Sequence, residues 1–184
     1  MSVKALVLLT DGFEDIEAVS VIDVLRRGGV EVVTASIHDR LEVTSAHGIV
    51  MHADRLFAEA AGERYEALIL PGGPGTGHLA ASPAVLERLR RQKAEGLLIA
   101  AICAAPTVLV EAGVLEEGQH VTCYPTCTVD LDRESAGVPV VVDGTVITGQ
   151  APGSALLFAL VVLQTLIGEP ATRKVARGMV TDVL

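Results

Sequence analysis

Four short runs along the chain are continuously or nearly continuously apolar: Val3–Leu9, Val30–Ile37, Ala67–Leu70 and Leu97–Ile102. Runs of this length without polar alternation predict strands covered on both faces, as in a parallel sheet. Between them the apolar positions change to a helical period, which predicts helices over Asp15–Arg27, Pro83–Ala94 and Pro106–Ala112. Val138–Val142 and Thr145–Thr148 flank Asp143-Gly144, a hairpin signal. A helix over Ser154–Ile167 and a last one from Ala171 to about Arg177 complete the pattern. No repeat, low-complexity tract or linker interrupts it. Residues 1–184 are therefore expected to form one doubly wound α/β domain, its mostly parallel sheet carrying helices on both faces. Ligands in such folds sit beyond the carboxyl ends of the strands. Three segments fall there: Thr10–Glu17, Pro71–Gly77 and the junction at Cys103.

Composition narrows the partners. Half of the residues are hydrophobic but only 3% are aromatic, so the core has to be built from Val, Ile, Leu and Ala. A formal net charge of −9 argues against the basic stripe of a nucleic-acid surface, and no nucleic-acid partner is expected. Three cysteines without regular spacing are no disulfide framework and suit a reducing compartment. The apolar run from Ala5 to Leu9 is too short for a signal peptide, and Ala155–Ile167, which contains Gln164, is too short to span a bilayer. A cytoplasmic protein without membrane attachment is expected.

The candidate chemistry centres on Cys103. The strand over Leu97–Ile102 runs straight into a helix that Pro106 starts and Gly113 ends. Cys103 sits at that turn with the small neighbours Ala104 and Ala105, as in a nucleophile elbow, although the usual flanking glycines are absent. A helix N-terminus stabilises a thiolate by about 1 kcal/mol, less than one unit of pKa, so strong activation needs another donor. Cys103 is either such an activated thiol or a buried structural one.

Glu17 is the candidate donor. It shares a helix face with Val21 and Val24, and that face is apolar. Its carboxyl is either a solvated first-turn acid or a buried one with a raised pKa, and in the second case it would share one proton with Cys103. Asp11 and Glu14 have capping-box spacing at the start of the same helix. The loop Leu70-Pro-Gly-Gly-Pro-Gly-Thr-Gly77 lacks the ending of a phosphate-binding loop and the dinucleotide spacing; a turn offering backbone N–H groups beside the sulfur fits it better. His120, Cys123 and Cys127 form a loose group that falls short of a zinc set, so no metal is expected. His38, His47, His52 and His78 show no pairing and read as surface or satisfied residues.

Taken together, Gly12-Phe-Glu-Asp-Ile-Glu-Ala-Val19, Asp23-Val-Leu-Arg-Arg-Gly28, Leu70-Pro-Gly-Gly73, Ala100-Ala-Ile-Cys-Ala-Ala-Pro106 and Pro152-Gly153 resemble the DJ-one family, also called ThiJ/PfpI, over essentially the whole length. The resemblance implies a flavodoxin-like fold, a homodimer and no cofactor. It implies Cys103 as the reactive cysteine and Glu17 as the protonated carboxyl bonded to it. Gly73 and Ala104 would supply oxyanion-type N–H groups, and Gly72, Tyr124 and His47 would stand around the pocket. The activities it implies are glutathione-independent conversion of small 2-oxoaldehydes such as methylglyoxal, removal of early glycation adducts, redox sensing through cysteine oxidation, and chaperone action. A thiol hydrolase is a further alternative. Two positions depart from the family pattern. Cys123-Tyr124-Pro125 stands where many members have Thr-His-Pro, which leaves Glu17 or solvent to carry protons; Ala46-His47 stands where relatives have Ser-Arg, which makes the basic group there titratable. Ala104 occupies the place of the histidine that follows the cysteine in protease-type members, which counts against peptidase activity.

Overall fold

The structure, a computed structural model, describes residues 3–182. In chain order its elements are β1 (Lys4–Leu9), α1 (Asp15–Arg27), β2 (Glu31–Ser36), β3 (Glu42–Thr44), β4 (Val50–His52), β5 (Arg55–Leu56), α2 (Phe57–Ala60), β6 (Ala67–Leu70), α3 (Thr76–Ala80), α4 (Pro83–Ala94), β7 (Leu98–Ile102), α5 (Pro106–Ala112), β8 (Val140–Asp143), β9 (Val146–Gly149), α6 (Ala155–Ile167) and α7 (Glu169–Gly178). Short 3-10 turns lie at Pro125–Asp130 and Pro152–Ser154. Every strand and helix expected from the apolar pattern is present within two residues of its bounds.

The main sheet has the order β5-β2-β1-β6-β7-β9-β8. All its pairings are parallel except β8 with β9, the hairpin expected around Asp143-Gly144. The central five strands follow the flavodoxin-like order. The continuous apolar runs have a plain cause. Ala5, Val7 and Leu9 of β1 face a core layer with Val21, Val24 and Leu25 of α1 and Phe158, Ala159 and Leu163 of α6. Leu6 and Leu8 face the opposite layer, with Val85 and Leu89 of α4 and Val108 and Leu109 of α5. Both faces of each central strand are buried, so alternation has no place there. α6 is the buried helix expected of Ala155–Ile167, and among the described residues no helix is long and apolar enough to cross a membrane.

Candidate active site

Strand order reverses between β1 and β6, and the segments leaving β1, β6 and β7 meet beyond their carboxyl ends. The first carries Glu17. Its helix begins one residue after Glu14, whose side chain accepts the Glu17 N–H at 2.8 Å and so caps α1. The expected Asp11–Glu14 capping box is not formed, because α1 starts too late for Asp11 to reach its first turn. Asp11 instead accepts the Thr44 N–H at 3.0 Å and pairs with Arg40, fastening the β3–β4 hairpin to the first loop.

Glu17 is wholly buried, with Val21 and Val24 below it on the same face. Its Oε2 accepts the Gly72 N–H at 2.8 Å. Oε1 is buried without an aligned hydrogen-bond partner, and the Cys103 thiol interacts with the same carboxyl. Of the two readings of Glu17, the buried acid is the one the structure shows. Burial raises the Glu17 carboxyl to about 7, against the opposing pull of the Gly72 N–H and of Cys103.

Cys103 occupies the expected turn between β7 and α5. Its backbone is left-handed, with φ of 64°, a conformation that costs a non-glycine residue about 1 kcal/mol or more. Two bonds hold it there: its N–H donates to Gly149 O at 2.9 Å, and its carbonyl accepts the Tyr124 N–H at 2.8 Å. Burial and then the Glu17 charge push the thiol up to about 12, while the N–H groups of Gly73 and Ala104 bonded to the sulfur pull the other way. The expectation of a thiol activated by a lowered pKa therefore gives way to a different arrangement. Between about 7 and about 12 the pair holds one proton. The two values leave that proton on the sulfur; its transfer to Glu17 puts the charge on the sulfur, where two backbone donors meet it.

The two loop glycines are there for space and for backbone shape. A Cβ on Gly72 would stand 2.7 Å from Cys103 Cβ and from Ile102 O. Gly73 has φ of +99°, and a Cβ there would stand 2.5 Å from Gly12 O. Above the sulfur, which belongs to a residue 7% exposed, lies a depression of about 350 Å³ lined by Glu14, His47, Gly73, Cys103, Tyr124 and Pro152. Pro74, Ala104 and Cys127 complete the wall. All seven expected site residues are thus brought together, Glu17 and Gly72 directly beneath the others. A larger cleft of about 460 Å³ lies at the other end of α1, lined by Arg27, Ile167 and Lys174, with no cysteine, serine or carboxylate in its wall.

Several polar groupings differ from expectation. His47 donates from Nδ1 to Asp15 Oδ2 at 2.7 Å, and the Ser45 hydroxyl bonds the other oxygen of that carboxylate. Burial would raise the Asp15 carboxyl, but the Ser45 and His47 bonds outweigh it and hold it below the usual range. His38 and His78 stack edge to face with centroids 5.8 Å apart, both within 3.2 Å of the Thr10 hydroxyl. All four histidines without a pairing signal in the sequence thus have partners, His52 facing Glu42 across the β3–β4 hairpin at 3.7 Å, a result of contacts between segments apart in sequence. His120 turns to Asp143 at 3.2 Å, away from any set with Cys123 and Cys127. Among the described residues the grouping with metal-ligand spacing is Glu14, Asp15 and His47, whose atoms lie within 4.8 Å of one another. Each already has a partner: Glu14 caps α1 and Asp15 holds His47.

A buried carboxyl and a strained thiol at the switch point of a flavodoxin-like sheet define a cysteine-centred site of the kind outlined from the sequence motifs. The DJ-1/PfpI family model matches residues 3–165, and the chain belongs to that family. Protein dj-1beta of Drosophila melanogaster is 38% identical over 183 residues, covering 97% of each chain. The Caenorhabditis elegans protein named glutathione-independent glyoxalase DJR-1.2 is 36% identical, with 96% of this chain and 95% of that one covered. The structure of oxidised Toxoplasma gondii DJ-1 superposes with a TM-score of 0.94 at 36% identity, covering 98% of this chain and all of that one.

Proposed function

We propose that the protein is a cofactor-free thiol enzyme that converts a small 2-oxoaldehyde to the 2-hydroxy acid without glutathione. The observation that carries this reading is the buried Cys103–Glu17 pair, holding one proton beneath a small open cavity. The Cys103 sulfur adds to the aldehyde carbon, and the pair's one proton passes to the carbonyl oxygen, giving a hemithioacetal and leaving Glu17 as the carboxylate. The Gly73 and Ala104 N–H groups stabilise negative charge on that oxygen whenever it develops. Glu17 then removes the hydrogen on the former aldehyde carbon and returns it to the neighbouring one. The product is a thioester, which water cleaves to the acid while the sulfur leaves as thiolate. The activity named for the C. elegans relative is this one. Early glycation adducts are drawn on by the same chemistry, because free 2-oxoaldehyde equilibrates with them.

Proton NMR of methylglyoxal mixed with pure protein, without added thiol, tests the proposal. Lactate should appear with wild type and not with Cys103→Ser. Absence of lactate from a wild-type protein whose Cys103 alkylates normally refutes it.

The same geometry favours redox sensing as a second reading, since the N–H groups and the Glu17 proton are placed to bond oxygens on the sulfur. A homodimer is supported by Ile16 and Val19 on one face of α1 and by Ile49 and Val50 on the adjoining hairpin, each about half exposed. The hairpin is held against the start of α1 by the Ala46 N–H to Phe13 O bond at 2.8 Å, which brings these side chains into one region.

A further inference from the structure

We infer that His47, oriented by Asp15, is a second proton carrier of the site, relaying a proton between the two oxygens of the substrate. The inference rests on the glyoxalase reading and extends it to a residue whose family counterpart is a non-titrating arginine.

The geometry begins with Ser45. Its hydroxyl oxygen accepts the N–H groups of Ile49 at 2.9 Å and His47 at 3.3 Å, which ties the turn between β3 and β4 into one shape, and its proton goes to Asp15. Asp15 is itself nearly buried, and its second oxygen accepts from His47 Nδ1. An ionised carboxylate only accepts, so the proton of a neutral ring lies on Nδ1 and the lone pair on Nε2. The ring lines the cavity that holds Cys103, on the side open to solvent. The other ionisable groups around it are Glu14 beside Asp15, Cys103 beyond β7, Tyr124 just before the 125–130 turn and Cys127 within it. None of these takes histidine's place: Glu14 is committed to capping α1, Cys103 is the nucleophile, burial raises the Cys127 thiol, and Tyr124 offers only a phenol.

The reaction needs what this ring offers. Passing from hemithioacetal to thioester moves two hydrogens. One goes from the first carbon to the second, and one from the first oxygen to the second. Glu17, sealed beneath the sulfur with Oε2 fixed to Gly72, serves the carbons. His47 Nε2 takes the hydroxyl proton from the first oxygen as its carbonyl re-forms. The imidazolium, stabilised by Asp15, returns that proton to the second oxygen as it becomes a hydroxyl. No proton is gained or lost by the protein. Asp15 acts through His47 and is a positioning residue. This assignment also supplies the proton carrier that Tyr124 cannot be.

The test compares wild type, His47→Ala, Asp15→Asn and, as a control, His52→Ala in methylglyoxal turnover. His47→Ala should lose about 100-fold in kcat with KM within about threefold, and added imidazole should restore part of the loss. His52→Ala should match wild type. A His47→Ala enzyme keeping more than about a third of kcat overturns the relay and leaves the glyoxalase reading standing. A loss that imidazole does not restore assigns His47 a packing role and also overturns it. If wild type forms no lactate, the glyoxalase reading fails, and histidine nitrogen NMR decides on the dyad alone. A neutral His47 ring protonated at Nδ1 in wild type, and shifted toward Nε2 in Asp15→Asn, is the expected signature. A wild-type ring protonated at Nε2 only overturns the dyad.

Discussion

Replacing Glu17 with Gln removes one titrating proton from the core while keeping the side chain's shape and its acceptor for the Gly72 N–H. The consequence for stability can be worked out. The carboxyl moves from 4.5 to about 7 on folding, chiefly through burial. Below pH 4.5 it is neutral in both states and folding costs nothing. As pH rises through the interval, the unfolded carboxyl ionises while the folded one keeps its proton, so stability falls; above 7 both are ionised and the loss is complete. Two and a half pH units at about 1.4 kcal/mol each come to roughly 3 kcal/mol. Urea unfolding at pH 4.5, 5.5, 6.5 and 7.5, at one fixed protein concentration, measures this directly. Wild type should lose roughly 3 kcal/mol more than Glu17→Gln across the series, since all other carboxyls are common to both. Two curves that stay parallel within about 0.5 kcal/mol would mean that Glu17 ionises as an ordinary carboxylate, and the shared proton would be wrong.

Three further outcomes follow from the same geometry. Gly72→Ala should lower the rate of Cys103 alkylation and cost about 1–3 kcal/mol in thermal unfolding, because the new methyl meets Cys103 Cβ at 2.7 Å; a variant with wild-type stability and labelling would show that the loop yields freely. Mild peroxide should add two oxygens to the Cys103 peptide, read by mass spectrometry, and the Glu17→Ala variant should pass on to three; oxidation confined to the methionines would remove the sensing role. Val19→Glu with Ile49→Asp should convert a dimer to monomer in light scattering, and a mass unaffected by both changes would place any interface elsewhere.

Much of the scaffold could be read in the chain because its signals are local. Ala67–Leu70 and Leu97–Ile102 are apolar without alternation since each residue faces one of two cores. β3, β4 and β5 escaped that reading: they are two or three residues long, partly exposed and marked by Glu42, Thr44, His52 and Arg55, with no apolar run to distinguish them. The site was legible in part. Cys103 is announced by a strand running into Pro106, and Glu17 by an acid on an apolar helix face. That the two meet is a tertiary fact, reached from sequence only through family resemblance. Nothing local signals the Asp15–His47 bond, which spans 32 residues and depends on the hairpin that the apolar pattern does not reveal. Ser45 was overlooked for the same reason. The raised Cys103 thiol was missed because its main cause, burial, is a property of the assembled fold.

The central claim is that Glu17 carries protons for chemistry on Cys103, and the most direct measurement is kcat/KM for methylglyoxal in Glu17→Gln against Tyr124→Phe. A neutral amide can still donate toward the sulfur but cannot take a hydrogen from carbon, so Glu17→Gln should fall by at least about 100-fold. Tyr124→Phe removes a hydroxyl that the mechanism does not use and should stay within about threefold of wild type. A crippled Tyr124→Phe beside an active Glu17→Gln would contradict the account and make Tyr124 the proton carrier.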